Sequence, residues 1–153
     1  MFLVVIAGLL LSPAGAQADD IAVIVHPSTE IEGLSFADLR KILLGDRQLW
    51  PSGEPITRIV RAAVAEERSF LLDSIYEMSE RQYRQYWIAK IFRAEVTDEP
   101  RVVVSNKDIV ELVGLIPGAI ALVLAEDVPA GLKVIKIDGL GPGDSDYALH
   151  VAN

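Results

Sequence analysis

The sequence predicts an α/β fold, a single three-layer lobe in which a mostly parallel sheet of about five strands lies between helices. Short runs rich in β-branched residues alternate along the chain with segments of helical period. The first run, Ile21-Ala-Val-Ile-Val25, is apolar throughout, as a strand covered on both faces reads. Capping sequences at Ser35, Ser79 and Ser105 each stand where an apolar-periodic segment begins. Strands alternating with helices imply parallel pairing with helices on both faces.

Taken in order, Ile21–Val25 is the first strand, and a loop with Pro27 and Gly33 follows it. Ser35 and Asp38 have the form of a capping box, with Leu34 and Leu39 spaced as a hydrophobic staple across it. Phe36, Leu39, Ile42 and Leu43 then share one face, and Gly45 stands at a C-cap position, so a helix is expected over about 36–44. Trp50, Pro51, Gly53 and Pro55 mark a turn-rich connection to a second strand, Ile56 to Val60. A helix is expected over about 65–78 on Phe70, Leu71, Ile75 and Met78. Ser79 and Gln82 open another, running to about Phe92, with Tyr83, Tyr86, Trp87 and Ile91 as its apolar stripe. Val102 to Val104 is a short strand. Ser105 and Asp108 cap a helix carrying Ile109, Val110, Leu112 and Val113, which Gly114 and Pro117 stop. Ala119 to Leu124 and Leu132 to Ile137 complete the strands. The three glycines and one proline in 139–153 predict a flexible C-terminal tail.

Residues 1–18 read as a secretory signal peptide: the apolar run Phe2 to Leu11 leads to Ala16-Gln17-Ala18, an A-x-A cleavage pattern. No basic residue precedes the run, which a start codon placed too late, a weak signal or a lipid-facing anchor would each explain. The run is shorter than the roughly 20 apolar residues a bilayer span needs. Export of this kind predicts a periplasmic protein whose globular domain covers 19–138. The chain has no cysteine, which excludes thiol catalysis and thiolate metal sites. Its net charge of −8 suits solubility and argues against a nucleic-acid partner.

No motif for nucleotide phosphates occurs, neither G-x-G-x-x-G nor G-x-x-x-x-G-K-[ST]. The histidines are His26 and His150; Ser145, in Gly143-Asp-Ser145, lies in the tail rather than at a strand–turn–helix, so no catalytic residue is assigned. Asp144 and Asp146 lack the glycine and closing glutamate of a calcium loop, and neither a metal nor a cofactor is expected. Glu66 and Glu67 are explained by the dipole of the helix they start. What remains is the expected carboxyl end of the sheet, where open parallel sheets bind ligands. His26, Ser28 and Thr29 after the first strand, with Arg61 and Ser105 after later ones, form a candidate site for a small anion.

Ile21-Ala-Val-Ile-Val-His-Pro27, Leu34-Ser-Phe-Ala-Asp-Leu-Arg-Lys-Ile-Leu-Leu-Gly45, Trp50 and Pro55-Ile56 together resemble the second lobe of the phosphate-binding protein of ABC-type importers. Asn106 to Val113 with Pro117-Gly118-Ala-Ile120 is similar to a later helix and strand start of that family, so the resemblance covers about 21–138. It implies a type 2 periplasmic-binding-protein-like lobe, non-enzymatic, with a small anion as ligand and a membrane transporter as partner. The family carries an Arg-Ser-Asp-Gly-Ser-Gly-Thr run after the second strand to hold its anion; here the matching stretch is Ala62-Ala-Val-Ala-Glu-Glu-Arg68, and His26 replaces an asparagine. Two carboxylates where phosphate would sit oppose phosphate binding. Two functions follow as expectations: a solute-binding-like component related to phosphate import, or an interaction or sensory accessory module that has lost phosphate and docks on a membrane transporter or sensor.

Overall fold

The computed structural model describes residues 20–151; the expected signal segment lies outside the described residues. Strands β1 (Ile21–Val25), β2 (Gly33–Leu34), β3 (Thr57–Arg61), β4 (Arg101–Val103), β5 (Ala119–Leu124) and β6 (Lys133–Ile137) form one sheet in the order β2-β6-β1-β5-β3-β4. The pairings β2–β6, β5–β3 and β3–β4 are parallel, whereas β1 is antiparallel to both its neighbours, β5 and β6. The sheet is thus mostly parallel, as expected, with one strand reversed near its centre. The two-residue β2 is additional to the strands expected from sequence.

All five β1 residues are buried, as the continuous apolar run predicted. Alternation divides them between two cores. Ile21, Val23 and Val25 pack under the helices α1 (Phe36–Leu43), α2 (Glu66–Phe70) and α3 (Glu80–Phe92), while Ala22 and Ile24 face α4 (Asn106–Leu115). Helices therefore cover both faces of the sheet.

The caps form where the sequence placed them. Ser35, Ser79 and Ser105 hydroxyls accept the backbone N–H groups of Asp38, Gln82 and Asp108, and Ser79 with Gln82 makes the full reciprocal box. The C-terminal carbonyls of α1, which the helix itself cannot satisfy, are met from outside. Ile42 accepts from Arg58, Leu43 from the Tyr76 hydroxyl and Leu44 from the Tyr86 hydroxyl at 2.6 Å. Gly45 then turns with φ +77°, and a Cβ there would press on Trp87 at 2.9 Å. At the start of β5, Gly118 (φ +82°) accepts both Thr57 N–H and the Trp50 indole N–H, and a Cβ would collide with the Pro55 carbonyl.

Three segments depart from the sequence expectation. The helix expected over 65–78 is α2 followed by a π-helical segment, Leu71–Tyr76, which ends at left-handed Glu77. The wider turn brings Leu71, Leu72, Ile75 and Tyr76 all to buried positions. On α3, Lys90 rather than Ile91 continues the buried side: Lys90 is 5% exposed and Ile91 is 40% exposed. The Lys90 ammonium lies 5.5 Å from the centre of the Tyr86 ring and reaches Asp46 Oδ1 at 2.6 Å, so a long cation can bury its stem and keep its partner.

The third departure is the end of the chain. The segment expected as a flexible tail packs against the start of β1. Tyr147 and Leu149 are buried, and the Tyr147 hydroxyl donates to the Ile21 carbonyl at 2.6 Å. Burial, with the Asp20 carboxylate nearby, pushes that hydroxyl's pKa well up, so it stays a donor. Ile21 N–H donates to Leu149 O, and Asp20 bridges to His150. The buried positions alternate, Tyr147 and Leu149 in, Ala148 and His150 out. That is a strand's period, hidden behind the glycines before it.

Truncation after Asp138 should lower the urea midpoint steeply or abolish folding, where a loose tail would leave it unchanged. Leu149→Ala alone should cost about 2–5 kcal/mol, as buried leucines do. A second expectation concerns acid. Arg68, stacked 4.2 Å over Tyr83, holds both Glu80 oxygens at 2.9 Å, and this hydrogen bonding keeps the Glu80 carboxyl below the usual glutamate range. A depressed carboxylate contributes stability that is complete above its unfolded pKa and is lost as pH falls through the folded one. Glu80→Gln should therefore flatten the acid limb of a stability–pH profile and leave its neutral part less stable.

Candidate functional site

Reversal of β1 decides which loops meet. His26 follows β1 and its N–H donates to Ala119 O, at the start of β5. Arg61 ends β3, which runs parallel to β5 from the pair Thr57–Ala119, so Arg61 lies toward the opposite end. The four residue steps between those levels amount to roughly 13 Å at about 3.3 Å each. The five residues expected to converge on one anion are thus divided: His26, Ser28 and Thr29 at one end of the sheet, Arg61 and Ser105 at the other. The expectation assumed that β1 ended beside the other strands, and its antiparallel direction removes that premise.

At the first end, His26 Nδ1 lies 2.7 Å from the Ser28 hydroxyl and accepts the Ser28 N–H at 3.1 Å. An accepting Nδ1 places the proton of the neutral ring on Nε2. Thr29 is buried with an unpartnered hydroxyl, and its carbonyl accepts Lys133 Nζ at 2.8 Å. A small recess of about 210 Å³ lies between Thr29–Ile31 and Trp50–Ser52. None of the described residues lining it is cationic.

The carboxyl ends of β3, β4 and β5 meet at the other end. Val64 takes φ 73° and is wholly exposed, turning the chain from β3 into α2 and sending Glu67 inward. Glu67 is 4% exposed; its Oε1 accepts the Leu124 N–H at 3.4 Å and lies 3.8 Å from Arg61 Nη1. Arg61 Nη2 donates to Val104 O at 3.2 Å, which ties the guanidinium to the residue before the α4 cap, Ser105. The Arg61 Nε is buried and without a partner. At the start of α4 the Asn106 amide donates to the Asp127 carboxylate, while Asn106 Oδ1 has no partner.

Arg61 and Ser105 are therefore neighbours through Val104, yet their surroundings are acidic. The Arg61 cation faces a carboxylate of its own chain, and the Ser105 hydroxyl is engaged with Asp108 N–H at 3.0 Å. Sequence reasoning explained Glu67 as a helix-dipole residue and passed over Asn106 and Asp127. The signal for Glu67 was its place in the stretch that replaces the glycine-containing loop; for Asn106 and Asp127, which are 21 positions apart, there was none.

The remaining histidine sits at this same end. His150 Nδ1 is 2.8 Å from Asp20 Oδ1, Asp20 is 2% exposed, and its other oxygen accepts Gly143 N–H at 2.6 Å. Ser69, Asp73 and Ser74 share a cavity of about 120 Å³ with His150, but no hydroxyl among the described residues is within hydrogen-bond distance of the ring. The pair fastens the chain end to β1 and lacks a nucleophile.

No protein-family model and no curated protein sequence matches the chain. Solved structures do match. A phosphate ABC transporter substrate-binding protein of Clostridium perfringens with bound phosphate is 19% identical, with a TM-score of 0.65 over 81% of this chain and 47% of that one. An ABC-type phosphate transport receptor of Vibrio cholerae is 21% identical, with a TM-score of 0.64 over 81% and 48%. PstS of Borrelia burgdorferi is 22% identical, with a TM-score of 0.59 over 81% and 49%. The likeness is one of fold, and this chain spans about half the length of each. The lobe resemblance read from the sequence is the fold these proteins share with it.

Replacing Glu67 by Ala would leave Arg61 largely buried without its carboxylate, a loss of about 3 kcal/mol on the scale of broken buried pairs. Glu67→Gln, which keeps the shape and an acceptor for Leu124 N–H, should lose clearly less. Urea unfolding of both variants reads the difference.

Proposed function

We propose that this chain is a non-enzymatic, exported docking module built on a solute-binding-protein lobe, in which the anion place at the sheet end is filled by the chain's own Glu67 carboxylate. One observation carries the reading: Glu67 is buried against Arg61 and the Leu124 N–H. An Arg side chain and a backbone N–H are the donors an oxyanion would use. Both already face a carboxylate, and a phosphate entering there would have to displace it or sit beside it, with Glu66 and Asp127 near the same end. Like-charge repulsion of this kind weighs against binding by several kcal/mol.

The fold supports the solute-binding ancestry, since the matching structures include one with phosphate bound. The sheet-end geometry favours the accessory-module reading over phosphate carriage. A non-enzymatic role is supported by the fold's likeness to transport substrate-binding proteins. Export to the periplasm, with a membrane transporter or sensor as the protein to dock on, rests on the apolar segment Phe2 to Leu11 and its small-residue end.

Thermal unfolding with added oxyanions tests the reading. Millimolar phosphate or sulfate should leave the wild-type midpoint within error, at constant ionic strength. A ligand present at 100 times its Kd would add about 2.7 kcal/mol of stability. A midpoint that climbs with phosphate and saturates would sink the proposal and restore the carrier reading.

A further inference from the structure

Strand β4 ends the sheet order, so one side of it has no neighbouring strand. Its register on β3 pairs Ile59 with Arg101, Val60 with Val102 and Arg61 with Val103, and Val103 O accepts Ala62 N–H at 2.8 Å. The backbone groups of Arg101 and Val103 are therefore turned toward β3. In a planar trans peptide the C=O and the next N–H point opposite ways. Val102 N–H, Val102 C=O and Val104 N–H consequently face outward, a row of free groups that templates a further strand. The side chains there are apolar and uncovered: Val102 is 53% exposed and Val104 77%. On the α4 face of β4, a groove of about 440 Å³ runs between strand and helix, where Val103 and Leu112 meet Asp108 and Glu111. Arg101, two residues before Val103, projects on that same face and is exposed. None of the ion pairs among the described residues uses Arg101, Asp108 or Glu111.

An occupant of this edge must be extended, apolar where it passes Val103 and Leu112, and cationic where it passes the two carboxylates. Strand β4 itself meets each condition, with Val103 for the groove and Arg101 two positions before it. We infer that β4 pairs antiparallel with β4 of a second copy of this chain, about a two-fold axis at Val103. In that register Val102 of each copy lies opposite Val104 of the other, and the two exchange N–H···O=C bonds in both directions. The Val104 carbonyl, which already accepts Arg61 Nη2 at 3.2 Å, keeps a second lone pair for this. An axis at Val102 would leave both Val104 N–H groups unpaired, so the free groups select one register. The exposed valine side chains then pack side by side as β-branched cross-strand pairs. Arg101 of each copy falls opposite Ser105 of the other. The Ser105 hydroxyl accepts Asp108 N–H at 3.0 Å, so the guanidinium comes within reach of the Asp108 carboxylate. The two sheets become one continuous sheet, and an isologous contact of this type closes on itself as a dimer. A strand of another protein would satisfy the backbone equally; the match of Arg101 and Val103 to the groove they border favours the chain's own. The dimer needs only the free side of β4, whether or not the sheet end takes an oxyanion.

One short strand makes a small interface, so the dimer should be weak and concentration-dependent. Sedimentation equilibrium across a dilution series should show the mass rising from one chain to two. Amide exchange at Val102 and Val104 should slow over the same range. Val102→Pro removes a donor that the ladder to β3 does not use, a change an edge strand accepts. It should leave a monomer at every concentration, with an unchanged circular dichroism spectrum. Val104→Lys, a charge at an exposed edge position, should do the same and decides the matter should the proline disturb folding. Arg101→Glu alone and Asp108→Lys alone should each weaken association at least about tenfold, and the double reversal should restore it to within about threefold. A protein monomeric throughout the series overturns the inference, as does a dimer indifferent to Val102→Pro and Val104→Lys. A monomer in which only an added Lys-Val-Lys-Val-Lys peptide slows exchange at Val102 and Val104 would give the edge to a foreign strand and equally overturn it.

Discussion

Strand β1 hydrogen-bonds to β5 on one side and β6 on the other, every residue buried, and it runs against both. Register at such a strand is closely fixed, because a slip of one residue would exchange Ile21, Val23 and Val25 with Ala22 and Ile24 between unequal cores. The first core is large and aromatic-lined, the second is closed by α4 together with Val128 and Leu132. Direction then has consequences that residue pattern does not carry. The β1 C-terminus delivers His26, Ser28 and Thr29 to the edge where β5 begins. Its N-terminus delivers Asp20 to the edge where β3, β4 and β5 end.

That second edge is where an open sheet normally receives a ligand, and here its polar groups are answered from within. Arg61 faces Glu67, Asn106 faces Asp127, and Asp20 takes His150 and Gly143. The pairings come from different layers: a helix start, a 3₁₀ turn (Ala125–Asp127) and the C-terminal segment. Unpaired charge in such a place would be costly, and a carboxylate that arrives with the fold removes the need for a ligand to neutralise the arginine. The incomplete satisfaction of Arg61 Nε and Asn106 Oδ1 is the trace left by a set of groups not matched atom for atom.

Local signals were legible and long-range ones were not. Ser35, Ser79 and Ser105 cap their helices because a hydroxyl and an N–H three residues on are fixed by the same short stretch of chain. The apolar run at Ile21–Val25 announced its burial because both faces are covered, but a run buried on both faces reads the same whichever way it points. The Tyr147–Val151 segment was masked by glycines and a proline whose turn chemistry ends before the buried alternation begins. On α3, Ile91 and Lys90 differ by a single position, and hydropathy favours the wrong one. The lysine wins because Asp46 and Tyr86 wait for it on α1's exit and on its own helix.

The same position explains why α3 has an outward side left exposed. A helix that buries Lys90, Tyr83 and Trp87 against α1 and the π-helical segment has satisfied its structural role with that side alone. Its aromatic neighbours meet edge to face, Tyr76 with Tyr83 at 4.9 Å and Tyr86 with Trp87 at 5.4 Å, which anchors the helix firmly without help from Ile88 or Phe92. Large apolar residues that add nothing to their own fold lower solubility unless another surface covers them. The lobe's internal chemistry and its outward chemistry are therefore separable. The sheet end has its polar groups answered from within, and the outward side of α3 leaves Ile88 and Phe92 exposed.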